Sequence, residues 1–148
     1  MITIHVQTDD FEMGAEINTL AALGGGAVAS FIGQVRGDGE VIGLELEHYP
    51  AMTQKALREI AETANGKWEL HGITIIHRVG KLKLGDQIVL VCTCSNHRQA
   101  ALEACSYIID RLKTDAPFWK KELRADGSGK WVEERQSDID TARGWEDK

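Results

Sequence analysis

Pro117 closes the most strongly periodic stretch of this chain and dictates what can follow it. Ala101, Ala104, Cys105, Ile108 and Leu112 recur at steps of three and four, the spacing of one helical face. Asn96 offers an N-cap with Gln99 three positions on, the spacing of a capping box. A proline pushes the residue before it, here Ala116, out of helical geometry, so this helix ends near Thr114. The chain must turn there. "FWKKEL" and "KWVEE" flank "RADGSG" and predict a hairpin.

Upstream, "ITIHV" reads as a first strand, and residues 14–23 as a short helix turning Ile17, Leu20 and Leu23 inward. A strand runs from about Ala27 to Val35, and "VIGLELEHY" alternates as the next. Pro50 opens a second helix at the position where its missing N–H costs nothing. Leu57, Ile60, Ala61 and Ala64 form its apolar stripe, with Gly66 suited to a left-handed cap. "ITIIHRV" and "QIVLVCTCS" are two more strands, joined through "GKLKLGD". The last dozen residues, "SDIDTARGWEDK", are charged and predict a loose surface tail. Strands come in pairs with only two or three helices among them. That favours an α+β fold over a doubly wound parallel sheet. The 148 residues fit one domain spanning residues 1–148.

The three cysteines are an odd number, and the opening "MITIHVQTDD" lacks the basic and apolar regions of a signal peptide. A disulfide framework is therefore not expected, and a cytoplasmic location is. Cys92 and Cys94 share one strand face, and Cys105 lies on the apolar face of the following helix, so all three read as buried small hydrophobes. No HExxH or CxxC motif points to zinc, and no metal or cofactor is expected. No run approaches the roughly 18 apolar residues of a membrane span. A formal net charge of −6 disfavours nucleic acid as a partner.

In so acidic a chain, local positive charge is informative. His97 and Arg98 fall in the first turn of the periodic helix, where unpaired N–H groups and the dipole favour an anion. Two cations there oppose the dipole unless a bound phosphate pairs with them; the bland alternative is a solvated Arg and a packed His. Arg36, among glycines at a strand end, is a second anion contact or an ordinary turn residue. His77 and Arg78 are adjacent on a strand, so only one can face any site. Lys113, in the last helical turn, is where the dipole favours a cation in any case. Lys120 alternates with Phe118 and Glu122, while Lys121 shares a face with Trp119. Spacing leaves both readings open: a solvated surface, or cations converging on a negatively charged substrate.

Taken in order, "FIGQVR", "LELEHYPAMTQKAL", "ITIIHRVGKLKLGD", "SNHRQAALEACSYIIDRLKTDAPFWKKE" and "KWVE" resemble the large, catalytic subunit family of molybdopterin synthase. The most specific part is "APFWKKE" after "LKT", with "HR" opening the preceding helix. The resemblance implies an α/β-hammerhead-like fold with an added antiparallel β subdomain. It implies a sulfurtransferase that inserts two sulfurs into cyclic pyranopterin monophosphate, forming molybdopterin in molybdenum cofactor biosynthesis. The sulfur would arrive as a thiocarboxylate on the C-terminal Gly-Gly of a small ubiquitin-like subunit. The assembly implied is a homodimer with a small subunit at each end, a heterotetramer.

Carried onto this chain, the resemblance makes Lys113 and Lys120 the catalytic lysines. His97 and Arg98 become a substrate-binding pair, and Gln34, Val35 and Arg36 a substrate-binding segment at the Gly-x-Val-Arg motif. Lys121 and Glu122 match flanking positions that also line the substrate pocket and bind substrate. Many members carry lysine where this chain has Gln34, which makes that contact neutral, and the loop "GDGEVIG" is shorter than in many relatives. Phe118 and Trp119 wall the pocket or brace the hairpin, with bracing the favoured role for Trp119. Two rival readings are a non-catalytic module that binds the sulfur carrier and a generic phosphate-ligand enzyme. No P-loop or nucleophilic serine constellation supports the second.

Overall fold

The structure, a computed structural model, describes residues 1–132 and 136–147. Among the described residues, eight strands form two sheets. In the first, β1 (Ile2–Gln7), β4 (Leu70–Arg78), β6 (Gln87–Ser95) and β2 (Ala27–Gln34) lie in that order. The β1–β4 pair is parallel; β4–β6 and β6–β2 are antiparallel. In the second, β5 (Gly80–Lys83), β3 (Val41–His48), β7 (Phe118–Arg124) and β8 (Gly129–Val132) are antiparallel throughout. This is the α+β architecture expected, with the second sheet as the added antiparallel subdomain.

Period-two alternation in β6 builds the core on both faces of the first sheet. Val89 and Val91 turn to one side, where they pack with Ile73 and Ile75 under α2 (Pro50–Lys67) and α3 (Arg98–Asp115). Leu57, Ile60, Ala61, Ala64, Ile108 and Leu112 supply the helical side of that contact. Leu90, Cys92 and Cys94 turn to the other face, the two cysteines against Leu20 of α1 (Met13–Ala21). All three thiols are free and buried, and burial first of all pushes Cys92 up to about 11 and Cys105 up to about 12. Cys92 and Cys105 therefore stay neutral at neutral pH, and all three pack as small hydrophobes.

α3 leaves the Ser95 end of β6 and runs back along it. Thr93 donates its hydroxyl to the Ala101 carbonyl, and the Cys105 thiol lies 3.7 Å from the Val91 carbonyl. Ala116 then adopts φ −82°, ψ 127°, the extended geometry that Pro117 imposes. Buried Thr53, in the first turn of α2, donates to the Pro117 carbonyl at 3.4 Å and ties the turn down. Pro50 stands in the first turn of α2, as expected.

Five expectations differ from the structure. The side chain of Asn96 does not cap α3. It meets His71 Nε2 at 2.6 Å instead, His97 occupies the cap position without a side-chain bond, and Gln99 reaches Glu103. Gly66 is not a left-handed cap, because α2 runs on to Lys67 and closes on extended Trp68. Leu23 lies beyond α1 and is largely exposed, leaving Leu20 as the buried anchor. The segment joining β4 and β6 is itself strand β5 and pairs with β3. Finally, most of the last dozen residues are not a loose tail.

They form α4 (Gln136–Gly144) and a short 3-10 turn, Trp145–Asp147. Ala142 is buried. The Trp145 ring packs edge-on against Trp68 and Tyr107, and its indole N–H donates to Asp110 at 2.7 Å. Glu133, Glu134 and Lys148 of the expected hairpin and tail lie outside the described residues. Among the described residues, no helix is long and apolar enough to cross a membrane.

Candidate active site

The turn at Pro117 brings two lysines from different elements to one place. Lys113 is exposed in the last turn of α3. Lys120 is half-buried on β7, paired with Leu46 on one side and Val132 on the other. Desolvation first, and then the charge of Lys113, hold the Lys120 amine below the ordinary lysine value; Asp138 of α4 opposes them. Two ammonium groups so placed favour an anion between them, and Lys120 gives up its proton more readily than a solvated lysine.

Lys120 stands on an aromatic base. Phe118, two residues back on the same strand face, stacks on His77 with ring centroids 3.8 Å apart and planes 15° apart. His48, opposite Phe118 in the sheet, is 6.3 Å from it. His77 is buried, and its Nδ1 lies 2.8 Å from the Arg78 carbonyl. A carbonyl only accepts, so Nδ1 carries the proton. Burial, and secondarily the charges of Lys120 and His48, push His77 down to about 4 against that hydrogen bond. Between pH 6.5 and about 4 the unfolded chain therefore binds a proton that the native chain refuses. Stability is expected to fall as pH drops through that window. Denaturant midpoints measured across it should flatten in His77→Gln; an unchanged slope would remove His77 as the cause.

Of His77 and Arg78, adjacent on β4, it is His77 that faces Lys120. The available signal was a histidine at a core position of an otherwise apolar strand. Arg78 is structural, its guanidinium bonded to the Thr8 and Gln87 carbonyls. Phe118 is the bracing ring. Trp119 is 45% exposed, edge-on to Tyr49 at 5.1 Å, and lines a groove of about 280 Å³ with Glu47, His48, Tyr49 and Trp131.

The remaining candidates divide. Glu122 shares the Lys120 face of β7, opposite Leu44 and Lys130. Lys121 is on the other face, paired with Glu45 and Trp131, its amine 5.7 Å over the Trp131 ring. Gly129 leaves it that room, since a Cβ there would collide with the Lys121 stem. Gln34 and Arg36 are exposed just past a bulge in β2, at the end of the sheet where β6 begins. α3 ends at that same end. Val35 between them is buried, and its N–H and carbonyl pair with Asp86 and Gly85. It holds its neighbours in place and has no free group for a substrate.

His97 and Arg98 are both exposed, and they lie at the opposite end of α3. Fifteen helical steps from Arg98 to Lys113 span about 22 Å. One chain therefore does not bring this pair to the lysines, and of the two readings the sequence left open, convergence of all four cations does not hold within a single chain. Among the described residues, no three His, Cys, Asp or Glu side chains are grouped as a metal ion requires.

Comparison with known proteins identifies the family and the fold. A family model described as MoaE protein matches residues 6–115. The molybdopterin synthase catalytic subunit of Vibrio cholerae is 49% identical, covering 97% of each chain. A solved structure described as a molybdopterin biosynthesis MoaE protein, from Burkholderia ambifaria, superposes with a TM-score of 0.85 at 47% identity, covering 99% of both chains. A molybdopterin synthase structure from Staphylococcus aureus gives 0.80 at 33% identity, over 87% of this chain and 96% of that one. A buried two-faced sheet, an antiparallel second sheet and a lysine pair at the turn between helix and strand thus accompany a clear sequence match, and the chain belongs to the MoaE family of molybdopterin synthase catalytic subunits.

Proposed function

We propose that this chain is the sulfur-transferring subunit of a molybdopterin synthase. It would take sulfur from the C-terminal Gly-Gly thiocarboxylate of a small ubiquitin-like partner. Two sulfurs would pass into cyclic pyranopterin monophosphate. One observation carries the reading: Lys113 at a helix end and Lys120 on the next strand lie close enough for the charge of one to act on the other, across a turn that Thr53 ties to the Pro117 carbonyl. Thiocarboxylate and phosphate are both anions, and on a chain of net charge −6 their approach needs local positive charge. Lys113, the exposed one, meets the partner's terminal glycine. Lys120 holds the pterin and stabilises charge as sulfur moves. Arg36, at the same end of the sheet, takes phosphate, with Glu122 beside the lysines and Gln34 as a neutral neighbour. Lys121 serves the outer face with the aromatic groove. The three buried free thiols fit a reducing compartment, the cytoplasm.

His97 and Arg98 enter this reading through a second copy of the chain. Their exposed first turn of α3 is an anion site some 22 Å from their own Lys113. A homodimer that sets it against the partner's lysines completes the site. Arg98→Ala is expected to weaken binding of the cyclic monophosphate by about 1.5 to 3 kcal/mol while barely moving the melting temperature. Calorimetric binding beside thermal melting checks this; unchanged affinity with a lowered melting point would make Arg98 structural.

The reaction is tested by incubating the chain with thiocarboxylated small subunit and cyclic pyranopterin monophosphate and measuring dithiolene product. Product formation supports the reading. Partner binding without any product would make the chain a non-catalytic carrier-binding module.

A further inference from the structure

We propose that His77 is a positioning residue for Lys120, acting through the Phe118 ring stacked on it. The proposal rests on the reading above, in which Lys120 acts on the substrate. The first sheet holds His77 rigidly: β4 is flanked by β1 and β6, and Val6 and Val89 are its register partners. The Nδ1–H bond to the Arg78 carbonyl fixes the ring plane. Phe118 lies flat on that plane, and Lys120 follows two residues later on the same side of β7. The contact bridges the two sheets where the lysine strand begins. Along its edges β7 pairs with β3 and with β8, a short strand exposed along its length.

A histidine suits this place for a physical reason. A hydrocarbon ring would stack equally well but would leave the Arg78 carbonyl without its donor. A permanent cation would repel Lys120. The groups facing His77 are Lys120 from β7, His48 from β3 and its own strand's Arg78 carbonyl. Those acting on Lys120 are Lys113 from α3 and Asp138 from α4. The imidazole stays neutral among them, so it supports the lysine without adding a third positive charge.

The test is competitive acetylation of Lys120 as a function of pH, read by mass spectrometry on the intact chain, which needs no turnover. In the native chain the half-labelling pH lies below the ordinary value of a solvated lysine. In His77→Gln, water reaches the amine, and the Lys120 midpoint rises by about 0.5 or more. Phe118→Leu is expected to do the same, and it carries the test should the buried His77→Gln variant fail to fold. His77→Phe keeps a flat ring and should hold the midpoint near native. With thiocarboxylated partner, His77→Gln should lose at least about tenfold in kcat while KM stays within about twofold, the pattern of a displaced group. A native midpoint in both His77→Gln and Phe118→Leu overturns the proposal, as does an equal shift in His77→Phe and His77→Gln. If the native chain transfers no sulfur but the midpoints shift as described, the proposed reaction fails and the positioning role stands.

Discussion

Lys113→Ala is expected to reduce molybdopterin formation by at least about 10²- to 10³-fold, the usual loss when one aligned charge-stabilising donor is removed. The small subunit should still bind. The bland reading of the same residue predicts something quite different. A lysine that only satisfies the C-terminal dipole of α3 contributes about 0.3 to 1 kcal/mol to stability and nothing to turnover. Lys113 is exposed, so its removal leaves no cavity and no unsatisfied buried group, and stability should hardly change. A second consequence follows from its neighbour. The Lys113 charge helps to hold Lys120 below the ordinary lysine value, so in Lys113→Ala the Lys120 amine should move back upward. The alanine variant thus loses one cation and keeps the other protonated to higher pH. Single-turnover sulfur transfer, with partner binding as the control, is the measurement. Near-native turnover would return Lys113 to the role of a helix-end charge.

The alternation of β6 was legible because a strand buried on both faces leaves no choice: every residue from Val89 to Ser95 is inside, and the two cysteines fall on one side. Pro117 was legible for the same kind of reason, since its ring constrains Ala116 whatever surrounds it. What failed depended on partners distant in sequence. Asn96 is a good cap by local chemistry, but His71, brought alongside by β4–β6 pairing, takes its side chain. Gly66 stays helical because α2 ends instead at Trp68, whose ring packs on Tyr107 and Trp145 and whose N–H reaches Glu103. The C-terminal segment looked loose because charge conceals a weak stripe: Ile139, Ala142 and Trp145, three apart, of which Ala142 and Trp145 face inward. The lysine pair was legible as two cations around a break. Its base of His77 and Phe118 was not, because it joins residues 41 positions apart on two sheets.

The 22 Å between Arg98 and Lys113 leads to the second large effect. If both act on one substrate molecule, they come from two chains, and a dimer of either single variant has no complete site. Mixing changes that. In a mixed dimer of Lys113→Ala and Arg98→Ala chains, one site receives both alanines and the other receives both native residues. Random assortment gives half mixed dimers with half of their sites intact, so at substrate well below KM, where the weakened binding of Arg98→Ala also lowers the rate, a mixture of the two impaired proteins should recover about a quarter of native turnover. The rise should follow subunit exchange in time, and sedimentation should show dimers before and after mixing. The double variant Lys113→Ala/Arg98→Ala, mixed with native chain, supplies the contrast, since each of its mixed dimers combines one alanine with one native residue at both sites. It should depress native activity instead of restoring it. Recovery in the first mixture and depression in the second together require a site shared between chains. Failure of the first to rise above either variant alone, with exchange demonstrated by mass spectrometry, would sink the shared site and return His97 and Arg98 to a surface role on a single chain.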